Sequence, residues 1–143
     1  MKDDQFESII LTTSVRYLKP FILLYGVYVL MHGEYSPGGG FQAGGLLGIV
    51  VVLDRLVQAR NAVLFVSGSV AVILAGIGTF IFAFVGIATM LFDGNFLEYS
   101  FLPFSVSEPQ RHALGILGIE LGVAVCVMAT IIVIFDALTR GKE

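Results

Sequence analysis

Charged residues are scarce in this sequence, and so are the residues from which many soluble active sites are built. Only 13% of its 143 residues are charged, and it has two histidines, one cysteine and no tryptophan. Soluble domains are usually about a quarter charged. The single cysteine, Cys126, excludes an internal disulfide and a cysteine metal cluster. This composition is not that of an ordinary soluble domain.

Long apolar runs occupy the chain instead, with 57% hydrophobic residues and a mean hydropathy of +0.92. A hydrocarbon core about 30 Å thick requires about 20 apolar residues in a helix. Helices are favoured over a β-barrel because these runs are apolar on all sides and lipid cannot satisfy backbone hydrogen bonds. We therefore predict an all-α integral membrane protein, a single membrane domain over 1–143, with four transmembrane helices at about 15–31, 41–57, 62–92 and 113–138 and an outer loop at 93–110.

The basic residues lie mostly on one side of these segments. Arg111 is on the side of the long loop, and the other seven are on the opposite side: Lys2, Arg16, Lys19, Arg55, Arg60, Arg140 and Lys142. Because cytoplasmic loops carry an excess of Lys and Arg, we expect both termini to be cytoplasmic. The first residues, MKDDQFES, lack the parts of a signal peptide, so we expect them to be retained.

Two features of the later segments concern packing. Segment 62–92 would be about 46 Å long as a helix, so we expect it to tilt, kink or protrude. Small residues recur at helical spacing in two stripes, which we interpret as sites of close helix packing. The stripes are Gly68, Ala71, Ala75 and Gly78 in the third segment, and Gly115, Gly118 and Gly122 in the fourth.

Glu120 is the strongest candidate for chemistry, because charges within apolar helices are costly and often functional. At 100° per residue its side chain projects away from the Gly115–Gly118–Gly122 stripe. A carboxyl group there can relay protons or coordinate Na⁺, which prefers oxygen ligands. The alternative is a structural carboxyl group that is protonated or bonded to a neighbouring helix. The sequence favours neither interpretation.

Three further polar residues are candidates for an ion path. Asp54, like Asp136, lies near an inner helix end, where snorkelling to the interface is the favoured interpretation. His32 and His112 lie at outer helix ends, either as proton carriers or as polar residues tolerated at the interface. The sequence has no phosphate-binding loop, no Ser-His-Asp set at a shared depth and no haem or iron–sulfur ligand set. We therefore expect no enzyme activity, no cofactor, no metal site and no nucleic-acid partner.

The stretch SPGGGF, between the first two segments, holds three successive glycines, which can adopt positive φ and accept close neighbours. It is either a tight outer turn or a broken helix start pressed against another subunit. With the residues around it, it resembles the B-type subunits of the Mrp-type (multiple resistance and pH) cation/proton antiporters. The residues that carry the resemblance are His32, Gly33, Pro37, Gly38, Gly39, Gly40 and Phe41.

This resemblance implies a small prokaryotic plasma-membrane component of a multisubunit Na⁺/H⁺ antiporter, with Na⁺ and H⁺ as the transported ions. It implies other subunits as partners, including large ones related to the proton-pumping subunits of respiratory complex I, with membrane lipid around them. Similar subunits occur in archaeal membrane-bound hydrogenases and sulfane reductases, so that setting stays open. A self-contained four-helix proton-coupled transporter is the other alternative. It usually has its carboxylate in the first helix, where this chain has none between Lys19 and Met31.

Overall fold

The computed structural model describes residues 9–33, 38–58, 62–64 and 66–140, and these residues form four long helices. The helices are α1 (Ile9–Met31), α2 (Gly40–Gln58), α3 (Gly68–Leu91) and α4 (Glu108–Arg140). All four are long and apolar enough to cross a membrane. The predicted all-α architecture with four transmembrane helices is confirmed. The orientation of the termini and the single membrane domain over 1–143 stay predictions.

The helix boundaries differ from the predicted ones at several ends. Helix α1 begins six residues before the predicted start at 15, because polar residues such as Thr12 and Thr13 lower the hydropathy of a segment that is nevertheless helical. Helix α3 begins at Gly68 rather than 62, since Ser67 accepts a hydrogen bond from Val70 N and caps the helix there. It is therefore about 36 Å long, close to the thickness of a membrane, and needs no large tilt.

The helices pack in a row in which α2 and α4 are central and α1 and α3 lie at the two edges. Helix α4 packs against α3 on one side and α2 on the other, and α2 packs against α1. One apolar cluster joins α1, α2 and α4 through Val29, Ala43 and Ala124. A second cluster joins α2, α3 and α4 through Val51, Ala71 and Ile132; Ala71 and Ile132 are fully buried.

The row leaves two ends with different chemistry. The glycine end carries the turn at Gly38–Gly40 and the long loop between α3 and α4. The charged end carries the connection from α2 to α3 and the last turns of α4. The order of the helices in the row determines which polar groups can contact each other, because residues at the same depth on neighbouring helices lie close together.

The long loop at the glycine end folds back onto the helices. It contains a single 3₁₀ turn, Tyr99–Phe101. The ring of Phe96 lies against Gly86 of α3, and the ring of Tyr99 lies against Gly115 of α4. Thr89 is fully buried near the end of α3, and its hydroxyl lies 2.8 Å from the carbonyl oxygens of both Gly86 and Asn95, which share its single proton. The loop is therefore packed structure on top of α3 and α4.

Candidate functional site

Glu120 lies where the end of α1, the start of α2 and the middle of α4 meet. Its carboxylate oxygens are packed against Gly33, which follows α1, and against Gly39, which precedes α2. A Cβ atom at Gly39 would lie 2.7 Å from Glu120 Oε1, closer than real Cβ contacts. The side chain is half-buried. The glycines thus leave the space that this carboxyl group occupies.

The backbones of α2 and α4 also touch at this point. A Cβ atom at Gly40 would lie 2.8 Å from both the Cα and the carbonyl carbon of Glu120. Gly39 has a φ of +127°, a conformation that side chains rarely allow. Close approach of Glu120 therefore leaves no room for a side chain at Gly39 or Gly40, and the backbone angle also disfavours one at Gly39. This close contact is made within the chain; contact of SPGGGF with another subunit stays a prediction, and Ser36 and Pro37 lie outside the described residues.

The position of Glu120 along α4 places it well inside the helical part of the molecule. It follows the first residue of α4 by twelve positions, which corresponds to about 18 Å along the helix axis. The end of α1 and the beginning of α2 lie at the level of Glu120, whereas α3 and α4 continue beyond it. The glycine turn is thus recessed relative to the far ends of α3 and α4.

Glu120 projects away from the glycine stripe, as predicted, and the two faces of α4 pack against different helices. Gly122 packs against α3, where an added Cβ atom would lie 2.8 Å from the Gly78 carbonyl oxygen, and Gly118 faces Val85 of the same helix. On the other face, Ala124 meets Gly44 of α2. Gly118 and Gly122 of the stripe therefore pack on α3, Gly115 packs on the loop, and the face of Glu120 packs on α2.

Asp54 anchors a second polar cluster, near the charged end. Its side chain is fully buried, and its Oδ1 accepts hydrogen bonds from Lys19 Nζ of α1 and from Gln58 Nε2, the latter at 2.6 Å. Its Oδ2 accepts from the backbone N–H of Leu64 at 2.8 Å. The interpretation of Asp54 as a snorkelling residue is wrong, because Lys19 and the returning connection enclose it.

Arg55 and Asp136 form a second ion pair beside the first. Arg55 Nη1 donates to Asp136 Oδ1 and so links α2 to α4. Asp136 also lies against the start of α3, where a Cβ atom at Gly68 would be 2.7 Å from its Oδ2. Asp136 is therefore a packed partner, not a residue reaching for the interface. Together the two pairs connect α1, α2 and α4.

The two histidines lie at the glycine end in different surroundings. His32 is exposed, its Nδ1 donates to the Tyr28 carbonyl oxygen at 3.0 Å, and its ring stacks on that of Tyr28 with centroids 4.1 Å apart. His112 Nε2 lies 2.8 Å from Ser100 Oγ in the folded loop. Burial raises the pKa of the neighbouring Tyr99 phenol. Each histidine has a local partner at the surface of the helix row.

Sequence reasoning missed the partners of these carboxylates. Lys19 lies 35 positions from Asp54, and Arg55 lies 81 positions from Asp136. One partner could have been predicted from helical spacing: Asp54 and Gln58 are four residues apart, so they lie on the same face of the helix. Gly33 was identified only as part of the glycine-rich motif. Within the described part of the chain, no three His, Cys, Asp or Glu side chains are grouped as a metal site.

Four long apolar helices with ion pairs between them define an integral membrane protein. Comparison with known proteins makes this specific. Residues 10–133 match the family model described as a domain related to the MnhB subunit of Na⁺/H⁺ antiporter. The chain belongs to this family, as the Mrp-type resemblance predicted.

Two relatives extend the match over nearly the whole chain. The chain is 26% identical over 144 residues to the Na(+)/H(+) antiporter B-type subunit of Bacillus subtilis (strain 168), covering 100% of this chain and 99% of that protein. It is 29% identical over 137 residues to the putative antiporter subunit mnhB2 of Staphylococcus haemolyticus (strain JCSC1435), covering 94% and 96%. The chain is thus a multi-pass protein of the prokaryotic plasma membrane.

Proposed function

We propose that this chain is the B-type small membrane component of a multisubunit Na⁺/H⁺ antiporter. The observation that carries the proposal is the end-to-end match with a protein that bears this name, at nearly equal length. The four apolar helices supply the membrane location that such a component requires. We infer that the chain has no enzyme activity of its own and acts through assembly and ion movement.

Glu120 is the residue that we assign to the ion path. It is half-buried, it lies about 18 Å from the start of α4, and the glycine turn is shaped around its carboxylate. Ionisable groups at such depth commonly belong to ion or proton pathways. Asp54 is the second assignment, because it is a buried carboxylate between three segments. His32 and His112 are assigned to the entrance, since each lies at the glycine end and imidazole groups commonly relay protons.

The partners follow from the family. We propose that the chain assembles with the other antiporter subunits, including large ones related to the proton-pumping subunits of complex I, and with lipid around the remaining surface. The edge helices support this, because α1 and α3 each present a long exposed apolar face, with Phe21 and Phe80 among the exposed side chains. We also propose that both termini are cytoplasmic, so that the glycine end faces outward.

The test is a deletion of the gene in its host, followed by complementation with the tagged chain. Everted membrane vesicles then report Na⁺-dependent proton movement through a pH-sensitive dye, and affinity purification in mild detergent reports the associated subunits. We expect the deletion to abolish exchange, the tagged chain to restore it, and large antiporter subunits to co-purify. Unchanged exchange in the deletion strain would refute the assignment.

A further inference from the structure

We propose that Lys19 and Asp54 form a monovalent-cation site at which a Lys19 proton is exchanged for a cation such as Na⁺. The inference rests on the proposed antiporter function and gives it a chemical site. It concerns a lysine that no sequence pattern selected and that the structure pairs with a fully buried aspartate. Three features support it: a fixed anion, a releasable proton and a constant total charge.

Asp54 is the fixed anion. Apart from Lys19, it accepts hydrogen bonds from Gln58 Nε2 at 2.6 Å and from Leu64 N at 2.8 Å. Both donors are neutral; one lies on α2 itself and the other on the segment that follows it. N–H donors stabilise the ionised form of a carboxylate. Asp54 therefore keeps two stabilising donors when the lysine withdraws.

Lys19 is the group that can release a proton. It is a single ammonium group on a flexible stem, and buried lysines change protonation state far more readily than arginines. Its side chain is 13% exposed whereas that of Asp54 is 0% exposed, so the lysine is the outer member of the pair.

Within the described residues, few charged groups surround this pair. On α2 they are Asp54 and Arg55, and on α4 Asp136, which is paired with Arg55. On α1 the nearest is Arg16, which is exposed, and residues 62–64 carry no titratable side chain. The Arg55–Asp136 pair is neutral as a unit, so among the described residues Asp54 is the charged partner of Lys19.

The exchange step balances in atoms and charge. The N–H bond of the Lys19 ammonium breaks, the electron pair remains on nitrogen, and the proton leaves to water. A cation then binds the Asp54 carboxylate, an oxygen ligand of the kind that Na⁺ prefers. The site is neutral before and after, so no net charge is added to a medium of low polarity, where an uncompensated charge is costly.

The test uses the assembled complex with two variants at Lys19. Lys19→Arg keeps the positive charge but cannot lose it, since arginine stays protonated in proteins. Lys19→Met keeps the length and removes the titratable group. Arg16→Lys, an Arg/Lys change at an exposed position of the same helix, is the matched control. Two quantities are measured: Na⁺-driven proton exchange in vesicles, and protons released from purified complex in weak buffer on addition of NaCl against choline chloride.

We expect both Lys19 variants to assemble, to lose exchange about tenfold or more, and to release about one proton fewer per chain, because neither can deprotonate at position 19. The Arg16→Lys complex should match the wild type in both measurements. Exchange at the wild-type rate in the Lys19→Arg complex would overturn the inference and leave the antiporter assignment intact. Failure of both variants to assemble would also overturn it, since the pair would then be structural. An inactive wild-type complex would instead refute the antiporter assignment.

Discussion

Asp54 and Arg55 are adjacent in α2 but bond in opposite directions. Asp54 accepts from Lys19 of α1, and Arg55 donates to Asp136 of α4. Consecutive helical residues point about 100° apart, so an adjacent acid and base do not neutralise each other and each can pair with a different helix. Asp54 and Arg55 therefore hold α2 against both of its neighbours, α1 and α4.

The Arg55–Asp136 pair should contribute measurably to the packing of α2 on α4. Asp136→Asn leaves the mostly buried arginine without this counter-charge, so we expect it to lower the free energy of unfolding in detergent by up to about 3 kcal/mol. Arg55→Gln combined with Asp136→Asn should be less destabilising than the sum of the single changes, with a coupling of about 1 kcal/mol or more. Arg16→Gln, at an exposed position, is the control. Strictly additive effects would show that the pair carries no coupling.

The glycine turn should reject any side chain at position 39. Gly39 combines a φ of +127° with a Cβ position 2.7 Å from Glu120 Oε1. Asparagine tolerates the left-handed region near a φ of about +57°, which lies far from this angle, so Gly39→Asn should fail as Gly39→Ala does. We expect both to reduce the amount of assembled complex or its exchange rate severalfold. Gly45→Ala is the matched control, because nothing lies within 4 Å of a Cβ atom there.

The two substitutions at position 39 also test the contact with Glu120. If Gly39→Asn restored what Gly39→Ala lost, this contact would not be the constraint, since asparagine is larger than alanine. If both variants behaved as Gly45→Ala does, the close contact between Glu120 and the turn would not be needed for assembly or exchange. Native gels for assembly and vesicle assays for exchange distinguish these outcomes.

The architecture was largely predictable because lipid imposes one simple requirement on the backbone. Four apolar runs implied four helices, and the angular step per residue placed Glu120 on the face opposite the glycine stripe. The start of α3 was not predictable in this way. Hydropathy extends back to residue 62, but Ser67 caps the helix and Leu64 N is bonded to Asp54. Hydropathy alone does not report the capping residue or the tertiary hydrogen bonds that set where an apolar helix begins.

The partners of the polar residues were the part that sequence could not supply. The separation of 35 residues between Lys19 and Asp54 contains no information about which helices become neighbours. That choice depends on how glycines such as Gly44 and Gly78 allow particular helices to approach closely. The face of Glu120 could be predicted from one helix, whereas its contact with Gly33 required three segments to be placed together.

The orientation of the helix row can be tested with cysteines at its two ends. In a Cys126→Ser background, Ser105→Cys places a thiol in the exposed loop at the glycine end, and Thr139→Cys places one at the charged end. Because basic residues are concentrated at the charged end, we expect an impermeant maleimide to label position 105 in intact cells and position 139 only after permeabilisation. Labelling of position 139 in intact cells would reverse the topology.

Glu120→Gln should separate the structural role of this residue from its part in ion movement. Glutamine has nearly the same shape, so it fits the space left by Gly33 and Gly39, and we expect normal assembly. It can neither bind nor release a proton, so exchange in vesicles should fall about tenfold or more if the carboxyl group acts in the path. Glu120→Asp keeps the charge on a shorter arm and should retain part of the rate. Full exchange in the assembled Glu120→Gln complex would assign Glu120 to structure alone.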